Sequence, residues 1–173
     1  MAQVLNEALN TARVEETGLK IPKLLDVRKV DGGWAITREY IEGKSLSELM
    51  AENPEKEDEY LEKFVALQME IHSKKCPMLN KIKEKMHAKI SASSYEATLR
   101  YDLQGNASED AARTYLVFNL NGQKELAEKY LNLFCKKADI PKQLVQQWMP
   151  IVACSESVKN KPEEKALLDS WVN

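Results

Sequence analysis

The spacing of apolar residues along this chain starts at a helical period, switches briefly to a strand-like one, and then returns to helix. In 2–17, Val4, Leu5, Ala8, Leu9 and Ala12 share one helical face against charged positions, and Gly18 follows as a residue suited to a left-handed terminus. Leu24–Val30 and Trp34–Ile41 are runs of strand-forming residues joined by Asp31-Gly32-Gly33, which predicts a hairpin with a tight turn. No other part of the chain reads convincingly as a strand pair.

Beyond Gly43 the pattern is helical throughout. Ser45-Leu46-Ser47-Glu48 has capping-box spacing, and Pro54 closes the short helix it opens. In 55–75, Tyr60, Phe64, Leu67 and Ile71 form an apolar stripe that Leu61 and Val65 thicken. Leu79, Ile82, Met86 and Ile90 form another, with a lysine-rich polar face, and 91–103 is ambiguous. Gln104-Gly105-Asn106 marks a loop before a helix over 108–121, and Gly122 separates that helix from one over 123–137, whose Leu126, Tyr130, Leu133 and Phe134 face inward. Pro141 suits the first turn of a helix through Val152 that Pro150 kinks. Pro162 opens a last helix carrying Leu167, Leu168, Trp171 and Val172. The fold class is therefore mainly α with an α+β remnant.

Length and charge narrow the function classes. At 173 residues the chain suits one domain, and its net charge of −2 lacks the concentrated basic surface that nucleic-acid binding needs. No apolar run reaches membrane-spanning length, and 1–10 has no basic segment leading into an apolar one, so no membrane association or secretion is expected. Cys76, Cys135 and Cys154 are odd in number and widely spaced, which fits reduced thiols in a cytoplasmic protein. Cys135 and Cys154 fall on apolar helical faces and read as core, and no spacing with His72 suggests a zinc site. Lys74, Lys75, Lys81, Lys83, Lys85 and Lys89 read as a solvated face, the alternative being a surface for an anionic ligand. Trp148 and Trp171 fit core positions better than a cation–π box.

Four stretches, in order, carry a resemblance. They are Asn6-Glu7-Ala8-Leu9-Asn10 with the later Glu16–Leu25, the run Glu39-Tyr40-Ile41-Glu42-Gly43-Lys44-Ser45-Leu46, then Glu70-Ile71-His72-Ser73, and finally Gly105–Tyr115. Together they resemble the aminoglycoside phosphotransferase and choline kinase-like family, from its αC helix through the hinge into the C-terminal lobe. The resemblance implies a single kinase-like domain, truncated. Residues 1–43 would supply an αC-like helix, hairpin and hinge, and 44–173 a helical lobe of about six or seven helices. It implies descent from enzymes that use ATP and Mg²⁺ to phosphorylate a small-molecule hydroxyl.

The same resemblance exposes what is missing. Family chemistry requires a glycine-rich loop and a strand lysine on the phosphates, then a catalytic Asp and a metal-binding Asn and Asp. The chain begins at the αC-like helix, so the loop and its lysine are expected to be absent. Neither His72 nor His87 precedes the required Asp, and Tyr101-Asp102-Leu103 runs directly into Gln104-Gly105-Asn106, as if a block had been removed. Asp102 alone is a poor magnesium ligand and reads as a cap or solvated charge. No catalytic residue, metal ligand or bound cofactor is expected.

By resemblance, Glu7 matches the αC glutamate that pairs with the phosphate-holding lysine; without that lysine it reads as a helix-surface carboxylate. The Glu39 carbonyl and Ile41 N–H match the adenine-contacting hinge, where nucleotide binding would be weak because one side of the cleft is open. Asp110 matches an aspartate that buttresses the catalytic loop, although both it and Glu109 also suit a plain role at a helix N-terminus. Three readings follow: an inactive phosphotransferase relative, a non-catalytic helical scaffold or self-assembling module, and a join of segments from a longer enzyme. Two strands alone are marginal in water, so self-association is expected through the hairpin edge or the uncovered helical lobe.

Overall fold

A computed structural model describes residues 2–79, Ser91 and 107–172. The chain divides into two compact units, Met1–Leu79 and Asn80–Asn173. The described residues are mainly helical, with one antiparallel two-stranded sheet. The predicted stripe through Ile82, Met86 and Ile90, the ambiguous stretch 92–103 and the loop 104–106 lie outside the described residues.

The first unit opens with α1 (Ala2–Glu15), which ends two residues before the expected Thr17. The chain then turns through Gly18, whose N–H donates to the Glu15 carbonyl and whose φ of 77° suits a residue without Cβ. Strands β1 (Leu24–Val30) and β2 (Gly33–Arg38) pair with Val27 opposite Ile36 and Val30 opposite Gly33, and only Gly32 of the turn takes a positive φ. A register shift between Leu24 and Asp26 makes a bulge that leaves Leu25 exposed. β2 stops at Arg38 rather than Ile41: the Glu39 N–H still donates to the Lys23 carbonyl, but the Lys23 N–H donates to the Glu39 carboxylate and returns no backbone bond.

Helix α1 packs on both strands. Strand alternation puts Val27, Trp34, Ile36 and Arg38 on one face, and the bond from Arg38 to α1 identifies that face as the covered one. The cover is thin. Within 3–45, Ala8 is the one buried residue.

The predicted capping box is present at α2 (Leu46–Glu52): the Ser45 hydroxyl accepts from the Glu48 N–H, and the Glu48 carboxylate accepts from the Ser45 N–H. Hydrogen bonds from the Ser45 hydroxyl and N–H hold the Glu48 carboxyl below the usual range. A 3₁₀ turn at Pro54–Lys56 leads into α3 (Glu57–Ser73). The buried face of α3 differs from the expected stripe. Tyr60, Leu61, Val65 and Gln68 are buried, whereas Leu67 and Ile71 are 50% and 46% exposed. The inward line runs Leu61–Val65–Gln68 at i, i+4, i+7, so a glutamine occupies a position that a hydrophobic pattern assigns outward.

The second unit is built around α4 (Ala107–Leu120), which packs on α5 (Lys124–Ala138), α6 (Lys142–Gln146) and α7 (Met149–Ser157); α7 in turn packs on α8 (Pro162–Val172). Its core holds Leu116, Leu126, Tyr130, Leu131, Phe134, Val145 and Val152, all buried, while Leu133 is only half-buried. The Tyr130 ring centroid lies 5.6 Å from Phe118 and 5.9 Å from Phe134. The single helix expected from Pro141 to Val152 is two. Pro141 is extended and caps α6, and Pro150 lies in the first turn of α7, where its missing N–H costs no helical bond. Proline here starts a helix instead of bending one. No helix among the described residues is long and apolar enough to cross a membrane.

Candidate functional site

The residues that the resemblance singles out fall in two places, Glu7, Glu39 and Ile41 in the first unit and Asp110 in the second. Glu7 lies on the α1 face toward the hairpin. Its Oε1 accepts from Arg38 Nη2 at 2.7 Å, and the same nitrogen donates to Thr11 Oγ1 at 3.2 Å. The Thr11 hydroxyl donates to the Glu7 carbonyl at 2.9 Å, which closes a small network joining the end of β2 to α1. Glu7 is therefore more than a solvated helix carboxylate, since it anchors the helix to the hairpin. Both partners keep substantial exposure, so the pair contributes modestly to stability.

Glu39 is also engaged. Its N–H holds the Lys23 carbonyl, and its Oε2 accepts from the Lys23 N–H at 3.3 Å, so the strand ends are joined by a two-bond clasp. Beyond the clasp the backbone runs out into solvent, with Tyr40 86% and Ile41 60% exposed. An adenine edge set against the Glu39 carbonyl and the Ile41 N–H would rest on this open segment.

In the second unit Asp110 is half-buried in the first turn of α4. Its neighbour Glu109 is the unexpected residue. It is 2% exposed, and its Oε1 accepts from Arg113 Nη2 at 3.1 Å one turn along the helix. A carboxylate at such depth is held by a partner that lies at i, i+4 in the sequence, and that spacing was its only sequence signal. Glu109 thus lies in the first turn of the helix, as the sequence places it, but buried and ion-paired there. Asp102 lies outside the described residues, as do Lys81, Lys83, Lys85 and Lys89 of the basic stretch; Lys74 and Lys75 are exposed.

A second polar group joins α4, α5 and α6. The Tyr115 hydroxyl donates to Glu128 Oε1 at 2.5 Å, Lys142 Nζ stands 3.8 Å from Glu128 Oε2, and the Tyr115 ring stacks on Trp171 with centroids 5.5 Å apart. Burial, together with the bond to a carboxylate, pushes the Tyr115 phenol up to about 12. Trp171 thus packs on tyrosine, and Trp148 is buried as a core residue. Cys135 and Cys154 are buried and their thiols are pushed up by desolvation, the environment of inert core cysteines. Among the described residues, no three His, Cys, Asp or Glu side chains come together as metal ligands.

Glu7 and Glu39 thus each tie the hairpin to a neighbouring segment, one through its side chain to Arg38 and the other through both backbone and side chain to Lys23. No family model, curated protein or solved structure matches this chain.

Proposed function

We propose that this chain is a divergent relative of the ATP-dependent small-molecule phosphotransferases that transfers no phosphate and serves as a helical assembly module. The observation that carries this reading is the Glu7–Arg38 pair. In kinase-like catalysis the αC carboxylate orients a lysine on the nucleotide phosphates. Here the matching carboxylate is held at 2.7 Å by a guanidinium from the end of the hairpin, and Thr11 also accepts from that guanidinium.

The internal sequence supports the same reading, because the segment between His72 and Asn106 contains no His-Gly-Asp-type loop and no Asp-x-x-x-x-Asn spacing. Nucleotide contact is confined in this proposal to the hinge backbone at Glu39 and Ile41. With that segment so open, affinity is of roughly millimolar order. The test is a phosphate-transfer assay with Mg–ATP and a panel of aminoglycosides, choline and simple amino alcohols. No turnover is expected; turnover by the pure chain above a buffer blank rejects the proposal.

A further inference from the structure

We infer that the outer edge of β2 is a docking surface for β2 of a second copy of this chain, giving a two-fold antiparallel dimer with a four-stranded sheet. The inference rests on the reading of the chain as an assembly module and specifies its interface.

The two edges of the hairpin are built differently. β1 carries Asp26, Arg28 and Lys29 and is interrupted by the bulge at Leu25, the devices by which proteins guard an edge against further pairing. β2 runs Gly33-Trp34-Ala35-Ile36-Thr37 with no charge before Arg38 and no bulge against β1 beyond Asp26. Among the described residues β2 pairs with β1 alone. The hairpin also needs support, since neither strand contains a buried residue and two strands are marginal in water.

The occupant follows from the sequence of β2 read against its own reverse. In the antiparallel register centred on Ile36, Ile36 faces Ile36 of the second copy, Ala35 faces Thr37, and Trp34 faces Arg38. These are an apolar pair, a small–β-branched pair and a pair that sets an indole against the aliphatic stem of an arginine, with no like charges opposed. Docking β2 on β1 of another copy would repeat without end, whereas pairing two β2 edges closes on itself. The guarded β1 strands then become the outer edges, so growth stops at two copies.

The test uses the full chain in sedimentation velocity at micromolar concentrations. The wild type is expected to be a dimer, and a monomer at about a hundred micromolar refutes the interface. Ala35→Lys combined with Thr37→Lys opposes two introduced ammonium groups across the interface at each of its two symmetric 35–37 pairs, on the face away from α1. That variant should dimerise roughly tenfold or more weakly. The matching Ala35→Glu, Thr37→Glu chain should also dissociate, and mixing the two charge variants should restore a dimer. Recovery on mixing shows that both variants fold, whereas dimers that persist in either variant alone refute the register. Val30→Lys on β1 should leave the dimer intact, and its dissociation would place the contact on the wrong edge. Phosphate transfer is measured on the same samples, so turnover by an intact dimer sinks the non-catalytic reading while leaving the interface standing.

Discussion

Arg38 and Glu7 lie thirty-one positions apart in sequence and meet at 2.7 Å, tying the last residue of β2 to the middle of α1. Replacing Arg38 with alanine removes both the ion pair and the contact to Thr11. We expect a loss of about 0.5 kcal/mol, the size typical of exposed pairs. A charge-swapped double variant, Glu7→Arg with Arg38→Glu, should recover part of it. Urea unfolding of the single and double variants measures the coupling, and complete additivity would show that the pair contributes nothing.

The face of α3 can be tested by two substitutions on neighbouring turns. Leu61→Ala should cost about 2–5 kcal/mol as a buried large-to-small change. Leu67→Lys should stay within about 0.5 kcal/mol, because that side chain already stands in solvent. Equal effects at the two sites would mean that Leu67 is buried as deeply as Leu61, against the face described above.

In the second unit, Phe134 is fully buried against Tyr130. Phe134→Ala should cost about 3–5 kcal/mol through lost contacts and the space left behind. Far-UV circular dichroism during thermal unfolding should show that loss in the helical signal.

Tyr115 gives a prediction in alkali. Its folded-state value is raised from 10.0 to about 12, first by desolvation and then by the bond to Glu128. A raised phenol keeps its proton more tightly when folded. Its contribution to stability is therefore complete below pH 10 and is lost as pH climbs through 12. Spectrophotometric titration should show one tyrosine ionising later than the rest, and Glu128→Gln should bring it down. A titration identical in the two proteins would remove Glu128 from the account.

The thiols should separate by reactivity. Cys135 and Cys154 are buried with raised values, while Cys76 is half-buried and its sulfur sits 3.5 Å from the Arg13 carbonyl. A disulfide reagent at mild alkaline pH should label Cys76 first and the other two only on unfolding. Fast labelling of all three would contradict the packing of α5 and α7.

Much of the fold was legible because it rests on local signals. The capping box at Ser45, the turn at Asp31-Gly32, the breaks at Gly18 and Gly122 and the start at Pro162 all appear near where the sequence places them. What the sequence hid was the choice made by packing. Gln68 faces inward and Leu67 outward because neighbouring elements select the buried face of α3, and hydrophobicity alone cannot rank two adjacent stripes. Pro150 fits either a kink or a helix start, and only the extended geometry of Pro141 and the break after Gln146 decide between them. The Arg38–Glu7 contact joins residues too far apart for any spacing rule, whereas Glu109–Arg113 was in reach of one.

Two residues with side chains, Asp139 at φ 53° and Asn160 at φ 56°, occupy backbone positions that glycine fills more comfortably. Asp139 ends α5 in that conformation, and the Ile140 N–H behind it bonds to the Cys135 carbonyl. Each position is thus a place where the polypeptide tolerates a less favoured residue without losing the corner. An engineer wanting a hardier version would begin with glycine at these two bends, both of which lie outside the β2 edge.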